Sequence, residues 1–201
     1  MIMKIFIAVP TYENIHPETF KSIYGLDKCG HWVVFDYVQG YGVAMARNLI
    51  GKQAIAEDAD YVLMVDNDVR LPHDTLRNLL EEPVDVCLGY CARRWDYGSN
   101  VFKLGEFSYT DAYHVDELRQ LREQGVKREK IHGGGMACAL IRTEVFKRIP
   151  YPYFSWTFYQ NGEVLSEDLN FCQRCNELNI PIYVDPRVGC GHLFRNFKEV
   201  M

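Results

Sequence analysis

The chain has no apolar run approaching the roughly 20 residues that a membrane-spanning helix requires. Its opening, Met1–Pro10, carries one Lys and too few apolar residues before Thr11-Tyr12-Glu13-Asn14 for a signal peptide, which predicts a cytoplasmic protein. No long basic block occurs and the net charge is −5, which argues against nucleic acid as a partner. Low-complexity tracts and internal repeats are missing too, so neither a disordered linker nor a solenoid is expected. The seven cysteines are odd in number and irregular in spacing, which predicts reduced thiols rather than a disulfide framework. What remains is a folded globule: 201 residues with 48% hydrophobic and 24% charged content suit one domain, 1–201, with a substantial core.

Hydrophobic patterning predicts strands at Ile2–Val9, His31–Val38, Tyr61–Val65 and Val84–Gly89, alternating with helices near His16–Tyr24, Val43–Ala59 and His73–Glu82. That alternation predicts an α/β fold, a Rossmann-like domain with a mostly parallel central sheet flanked by helices. From Ala92 to Tyr113 neither period holds, and Trp95, Tyr97 and several Phe and Tyr are scattered among Gly and polar residues. Short helices are expected at Asp116–Glu123 and Arg142–Arg148. A longer one is N-capped by Ser166 and runs to Asn179, before a last short strand at Ile180–Val184. Residues 1–90 read as a nucleotide-binding half and 91–201 as an acceptor and catalytic half with aromatic loops.

The third strand ends in Asp66-Asn67-Asp68. In open α/β sheets, ligands collect outside the carboxyl ends of the strands. Two carboxylates one residue apart there repel and pay desolvation unless a cation joins them. Hard oxygen ligands suit Mg²⁺ or Mn²⁺, which keep positions open for phosphates. On these residues alone a solvated acidic turn stays open.

Four motifs in order resemble those of GT-A glycosyltransferases of the nucleotide-diphospho-sugar transferase superfamily, family 2 in particular. They are Pro10-Thr11-Tyr12-Glu13-Asn14 after strand one, Ala46-Arg47-Asn48, the DxD-like Asp66-Asn67-Asp68, and Ser166-Glu167-Asp168 followed by Gly191-His192. The resemblance implies sugar transfer from a nucleotide-sugar donor, a UDP- or GDP-sugar, with Mn²⁺ or Mg²⁺ holding the diphosphate. It implies Asp66, Asp68 and His192 as metal ligands, with Asp66 also contacting the ribose. It implies Asp168 as general base in an inverting reaction, with Glu167 orienting the acceptor. Pro10, Thr11, Tyr12 and Glu13 would lie under the nucleotide, Arg47 would contact base or phosphate, and Gly134 and Trp156 would approach the donor. One segment departs from the family pattern: Phe35-Asp36-Tyr37 replaces paired acids that read base and ribose, so Asp36 is the substitute and the nucleotide stays open. The acceptor, whether carbohydrate, lipid-linked or protein, stays open as well.

Other readings compete. Cys172, Cys175, Cys190 and His192 carry zinc-type ligands for a structural module, although the first two sit at helical spacing. Asp168 and Glu167 also suit the positive end of a helix without any catalytic role. A non-catalytic nucleotide-sugar-binding protein and a sugar nucleotidyltransferase complete the set. The last lacks the expected Gly-rich loop with a following Arg or Lys after strand one.

Overall fold

The computed structural model describes residues 2–93, 98–105 and 107–193, and the backbone of 199–200. Trp95 and Tyr97, of the aromatic stretch without periodicity, lie outside the described residues.

The first half builds β1 (Lys4–Thr11), α1 (Pro17–Tyr24), β2 (Trp32–Gln39), α2 (Val43–Ala56) and β3 (Tyr61–Val65), then β4 (Val69–Arg70), α3 (Thr75–Glu81) and β5 (Val86–Cys91). The second half begins with β6 (Gly98–Phe102), β7 (Ala112–His114), α4 (Val115–Glu123), β8 (Glu129–Ile131) and β9 (Gly133–Gly134). It ends with β10 (Cys138–Arg142), α5 (Thr143–Arg148), β11 (Thr157–Phe158), β12 (Val164–Leu165), α6 (Glu167–Glu177), β13 (Ile182–Leu193) and β14 (Glu199–Val200).

The central sheet has the order β14-β13-β5-β10-β3-β1-β2, with β4 and β8 also pairing β13. Strands β2, β1 and β3 are parallel neighbours, and β13 is parallel to β5. Between them β10 runs antiparallel to both β3 and β5, so the core of the sheet is mostly parallel with one reversed strand. A βαβ crossover puts helices on both faces, and buried parallel strands therefore read as continuous apolar runs. Residues alternate between faces along each strand. Phe6, Ala8, Val62 and Met64 join α2, α5 and α6 in one core, while Ile7, Val9, Leu63 and Val65 join α1 and α3 in the other. Among the described residues no helix is long and apolar enough to cross a membrane.

Two departures from the sequence pattern shape the site. Gly98–Phe102, expected to be irregular, forms β6 and pairs with β7 and β9. The final strand does not stop at Val184. Its register with β5 shifts between Val184 and Gly189, which carries the chain past Asp185-Pro186, and pairing resumes at Gly189 and Cys190. A proline is tolerated at such a bulge because the ladder is already interrupted there.

The zinc module is overturned. Cys172 and Cys175 pack in the α2–α5–α6 core, whereas Cys190 lies in the core on the opposite face of the sheet. The Cys172 thiol instead lies 3.5 Å from both the backbone N and O of Gly134, and burial pushes it up to about 12. Among the described residues, no three metal-capable side chains cluster.

Candidate active site

β3 delivers Asp66 to the carboxyl end of the sheet, where its backbone N–H donates to the Ala137 carbonyl at 3.0 Å. The chain then turns, Val69 N–H donating to the Asp66 carbonyl at 3.2 Å, and enters β4. Pairing of β4 with the extended end of β13 sets Val69 opposite His192, and Leu193 N–H donates to the Asp68 carbonyl at 2.8 Å. The two side chains meet in consequence: Asp68 Oδ2 lies 3.4 Å from His192 Nε2. Both face a cavity of about 750 Å³ that also receives Asp66, Asp168 and the 10–12 turn.

Beneath the cavity floor, Arg47 answers the electrostatic problem posed by the acidic strand end. Its guanidinium is buried, with Nη2 2.8 Å from Asp66 Oδ1 and Nη1 2.5 Å from Glu167 Oε1. Burial disfavours its charge, yet Asp66, Asp168 and Glu167 together hold its pKa above the ordinary value. Three carboxylates thus act on one cation. Burial likewise pushes the Glu167 carboxyl up, with Arg47 offsetting only part of the rise. Arg47 and Glu167 do not line the cavity, whereas Asp66 does. The neighbouring Asn48 is structural as well. Its amide Nδ2 donates to the Phe154 carbonyl at 2.7 Å and its Oδ1 accepts from Tyr153 N–H at 2.7 Å, tying α2 to the loop between α5 and β11.

Asp168, next along α6, points the other way and enters the cavity. Its Oδ1 accepts from the Leu169 N–H at 2.8 Å and from the Ser166 hydroxyl. Ser166 caps no backbone N–H with its side chain; the hydroxyl orients the carboxylate instead. Gly135 lies against Asp168: a Cβ there would stand 3.3 Å from Asp168 Oδ2 and 3.1 Å from Asn100 Nδ2.

The other expected residues scatter. Pro10, Thr11 and Tyr12 line the cavity, and Asn67 Nδ2 braces their turn by donating to Thr11 Oγ1 at 3.1 Å. Glu13 is exposed outside the wall. Asp36 is exposed on edge strand β2, opposite Ala8 and three residues short of the strand end, roughly 10 Å below the mouth. Gly134 is buried against Asn100 and Leu88, and its neighbour Gly135 faces the cavity in its place. Trp156 is 48% exposed and outside the wall.

Asn100, Tyr41 and Arg93 line the cavity without having been expected. Asn100 secures two strands, its Oδ1 accepting from Cys91 N–H at 2.8 Å and its Nδ2 donating to the Gly135 carbonyl at 3.2 Å. The Asn lies in a stretch without periodicity and offered no signal.

No protein-family model matches this chain, and no curated protein matches it in sequence. Solved structures do. A197 from STIV is similar at 17% identity and TM-score 0.63, covering 99% of this chain and 94% of that one. GalNAc-T7, solved with UDP, GalNAc and Mn²⁺, is similar at 9% identity and TM-score 0.62, covering 96% of this chain and 44% of that one. The mannosyltransferase PcManGT from Pyrobaculum calidifontis, solved with GDP-Man and Mn²⁺, gives 16% identity and TM-score 0.57, covering 94% and 56%. The chain spans about half the length of these last two. The fold that these structures share with this chain is the GT-A fold.

Proposed function

We propose that the protein is a metal-dependent glycosyltransferase that moves a sugar from a nucleoside-diphosphate sugar, a UDP- or GDP-sugar, to an acceptor hydroxyl with inversion. The observation that carries this reading is the convergence of Asp68, His192 and Asp168 on one 750 Å³ cavity, with Arg47 holding Asp66 and Glu167 at its floor. Solved neighbours of the same fold hold UDP or GDP-Man together with Mn²⁺, which supports the donor class.

Asp68 and His192 fit a divalent ion: a carboxylate oxygen and an imidazole nitrogen lie side by side, in surroundings where acids outnumber the Arg47 guanidinium. An oxygen–nitrogen donor pair favours Mn²⁺ over Mg²⁺. Asp66 is engaged by Arg47, so it acts from beside the ion or on the ribose. When bound, the metal supplies Lewis-acid stabilisation of the leaving diphosphate. The chain itself does the rest. The turn at Pro10–Tyr12 bounds the donor, and Asp168, oriented by Ser166, takes the acceptor proton as the new bond forms.

Donor turnover is the test. Incubated with UDP- and GDP-sugars, Mn²⁺ and a carbohydrate acceptor panel, the protein should release nucleoside diphosphate, not pyrophosphate. Asp168→Asn should lower kcat by about 100- to 10,000-fold while metal-dependent donor binding persists. Loss of donor binding in that variant would move Asp168 into the donor site and sink its role as base.

A further inference from the structure

A second cavity, of about 670 Å³, opens beside the first. The two share Ala92, the residue after β5, and strands β5 and β13 wall both. Asp68 precedes β4 and faces the first cavity while Arg70 faces the second; His192 of β13 faces the first while Gly191 faces the second. Their charges are opposite. The first wall carries Asp66, Asp68 and Asp168 against the single guanidinium of Arg93. The second carries Lys21 from α1, Arg70 from β4, and Arg119 and Arg122 one turn apart on α4, against the single carboxylate of Glu18. His73 adds a fifth nitrogen base on the same rim.

The acids beside Lys21 and Arg119 do not cancel those two charges. Glu18 is 3.9 Å from Lys21, and Asp116 lies 2.9 Å from Arg119 Nη1, both on exposed side chains where such pairs contribute little. Tyr90 forms part of the inner wall, and a Cβ on Gly189 would come within 2.8 Å of its hydroxyl. Burial raises that phenol's pKa while Arg119 and Arg122 draw it down, so both guanidiniums act on the inner wall from the exposed helix. In a chain of net charge −5, four permanent cations converging on one concave site from three elements mark an anion site. Arg in particular matches phosphate geometry through its fork of N–H donors.

We infer that the second cavity binds a phosphate group carried by the acceptor, so that the acceptor is an anionic, phosphate-bearing molecule whose hydroxyl reaches the first cavity past Ala92. The inference rests on the glycosyltransferase reading of the first cavity. The phosphate takes no part in the bond changes. The acceptor oxygen bonds to the anomeric carbon, the carbon–oxygen bond to the diphosphate breaks with its electron pair, and the acceptor proton passes to Asp168.

Two probes distinguish the sources of such a phosphate: glycerol 3-phosphate as a free monoester, and phosphatidylcholine vesicles containing phosphatidic acid as a membrane-borne one. Binding of each is measured by calorimetry and co-sedimentation, on the intact protein saturated with nucleoside diphosphate and Mn²⁺. One probe or both should bind, and Arg119→Glu with Arg122→Glu should weaken that binding about tenfold or more while nucleotide binding is unchanged. Glu18→Gln should tighten it, which guards against a charge-reversed variant that folds poorly. The inference is overturned if neither probe binds, if charge reversal and Glu18→Gln both leave binding unchanged, or if the nucleotide displaces the probe. Phosphate binding without any nucleotide binding would instead remove the glycosyltransferase reading and leave an anion site.

Discussion

Arg47 shows how much a single side chain can decide. An Arg on an amphipathic helix suggests a surface ion pair or a ligand contact, and only its partners, 19 and 120 residues away, reveal a buried counter-ion. Its removal would strand the buried Glu167 carboxylate, so Arg47→Met should cost about 3–5 kcal/mol in chemical denaturation. Combining it with Glu167→Leu should recover most of that loss; a double variant as unstable as the single one would show that the pair is not coupled. Gly135 is the second such residue. Gly135→Ala must move Asn100 or Asp168 by a few tenths of an ångström, so the transfer rate should fall roughly tenfold with the melting temperature nearly unchanged. A rate equal to wild type would separate Asp168's position from catalysis. The sequence drew attention to Gly134 in place of Gly135 because a run of three glycines has no internal phase; which one faces a ligand depends on how β9 packs against α6.

The elements that carry the candidate site differ in how openly their residues announce them. Asp66 and Asp68 follow an apolar strand of five residues, and a strand end is where an α/β sheet gathers ligands, so their location was readable. Their environment was not. The cation that relieves the strand-end repulsion is Arg47, supplied by α2, and pairing between β4 and β13 is what brings His192 to Asp68. That pairing needs a 12-residue strand running past Asp185-Pro186, where a proline reads as a stop. The direction of β10 was equally hidden, since an apolar run fits either orientation. Asp185 explains how the bulge is held. Wholly buried, it accepts from Arg187 Nη2 at 2.8 Å and from Arg128 Nη1, and Arg128 Nη2 donates to the carbonyls of Asn78 and Leu79. Asp185→Ala takes the carboxylate partner from buried Arg128, while Arg187 keeps Glu81, and should destabilise by about 3–5 kcal/mol. β9 gives a second check: a Cβ on Gly133 would stand 2.5 Å from Cys172 Cβ, so Gly133→Ala should cost about 1–3 kcal/mol, measured by the shift in denaturant midpoint.

For the whole molecule, the two-sided core follows from patterning that is visible in the chain, because strands buried on both faces leave unbroken apolar runs. Long-range charge is less visible. Glu81, at the end of α3, accepts hydrogen bonds from Lys127 and Arg187, and these hold its carboxyl down at about 2 against an ordinary 4.5. A depressed acid stabilises the fold above its unfolded value, and that contribution is lost as the pH falls from about 4.5 towards 2. Glu81→Gln should therefore flatten the acid limb of the stability profile over that window. An unchanged limb would assign acid unfolding to other carboxylates.

Thermal melting with nucleoside-diphosphate sugars, with and without Mn²⁺, on wild type and Asp68→Asn, tests the proposed metal–diphosphate site at Asp68 and His192. A donor at one hundred times its Kd stabilises the fold by about 2.7 kcal/mol, which is readily seen as a rise in Tm. That rise should occur for a UDP- or GDP-sugar only when Mn²⁺ is present, and should vanish in Asp68→Asn. A rise that ignores Mn²⁺ and survives the substitution, or no rise with any donor, would contradict that site.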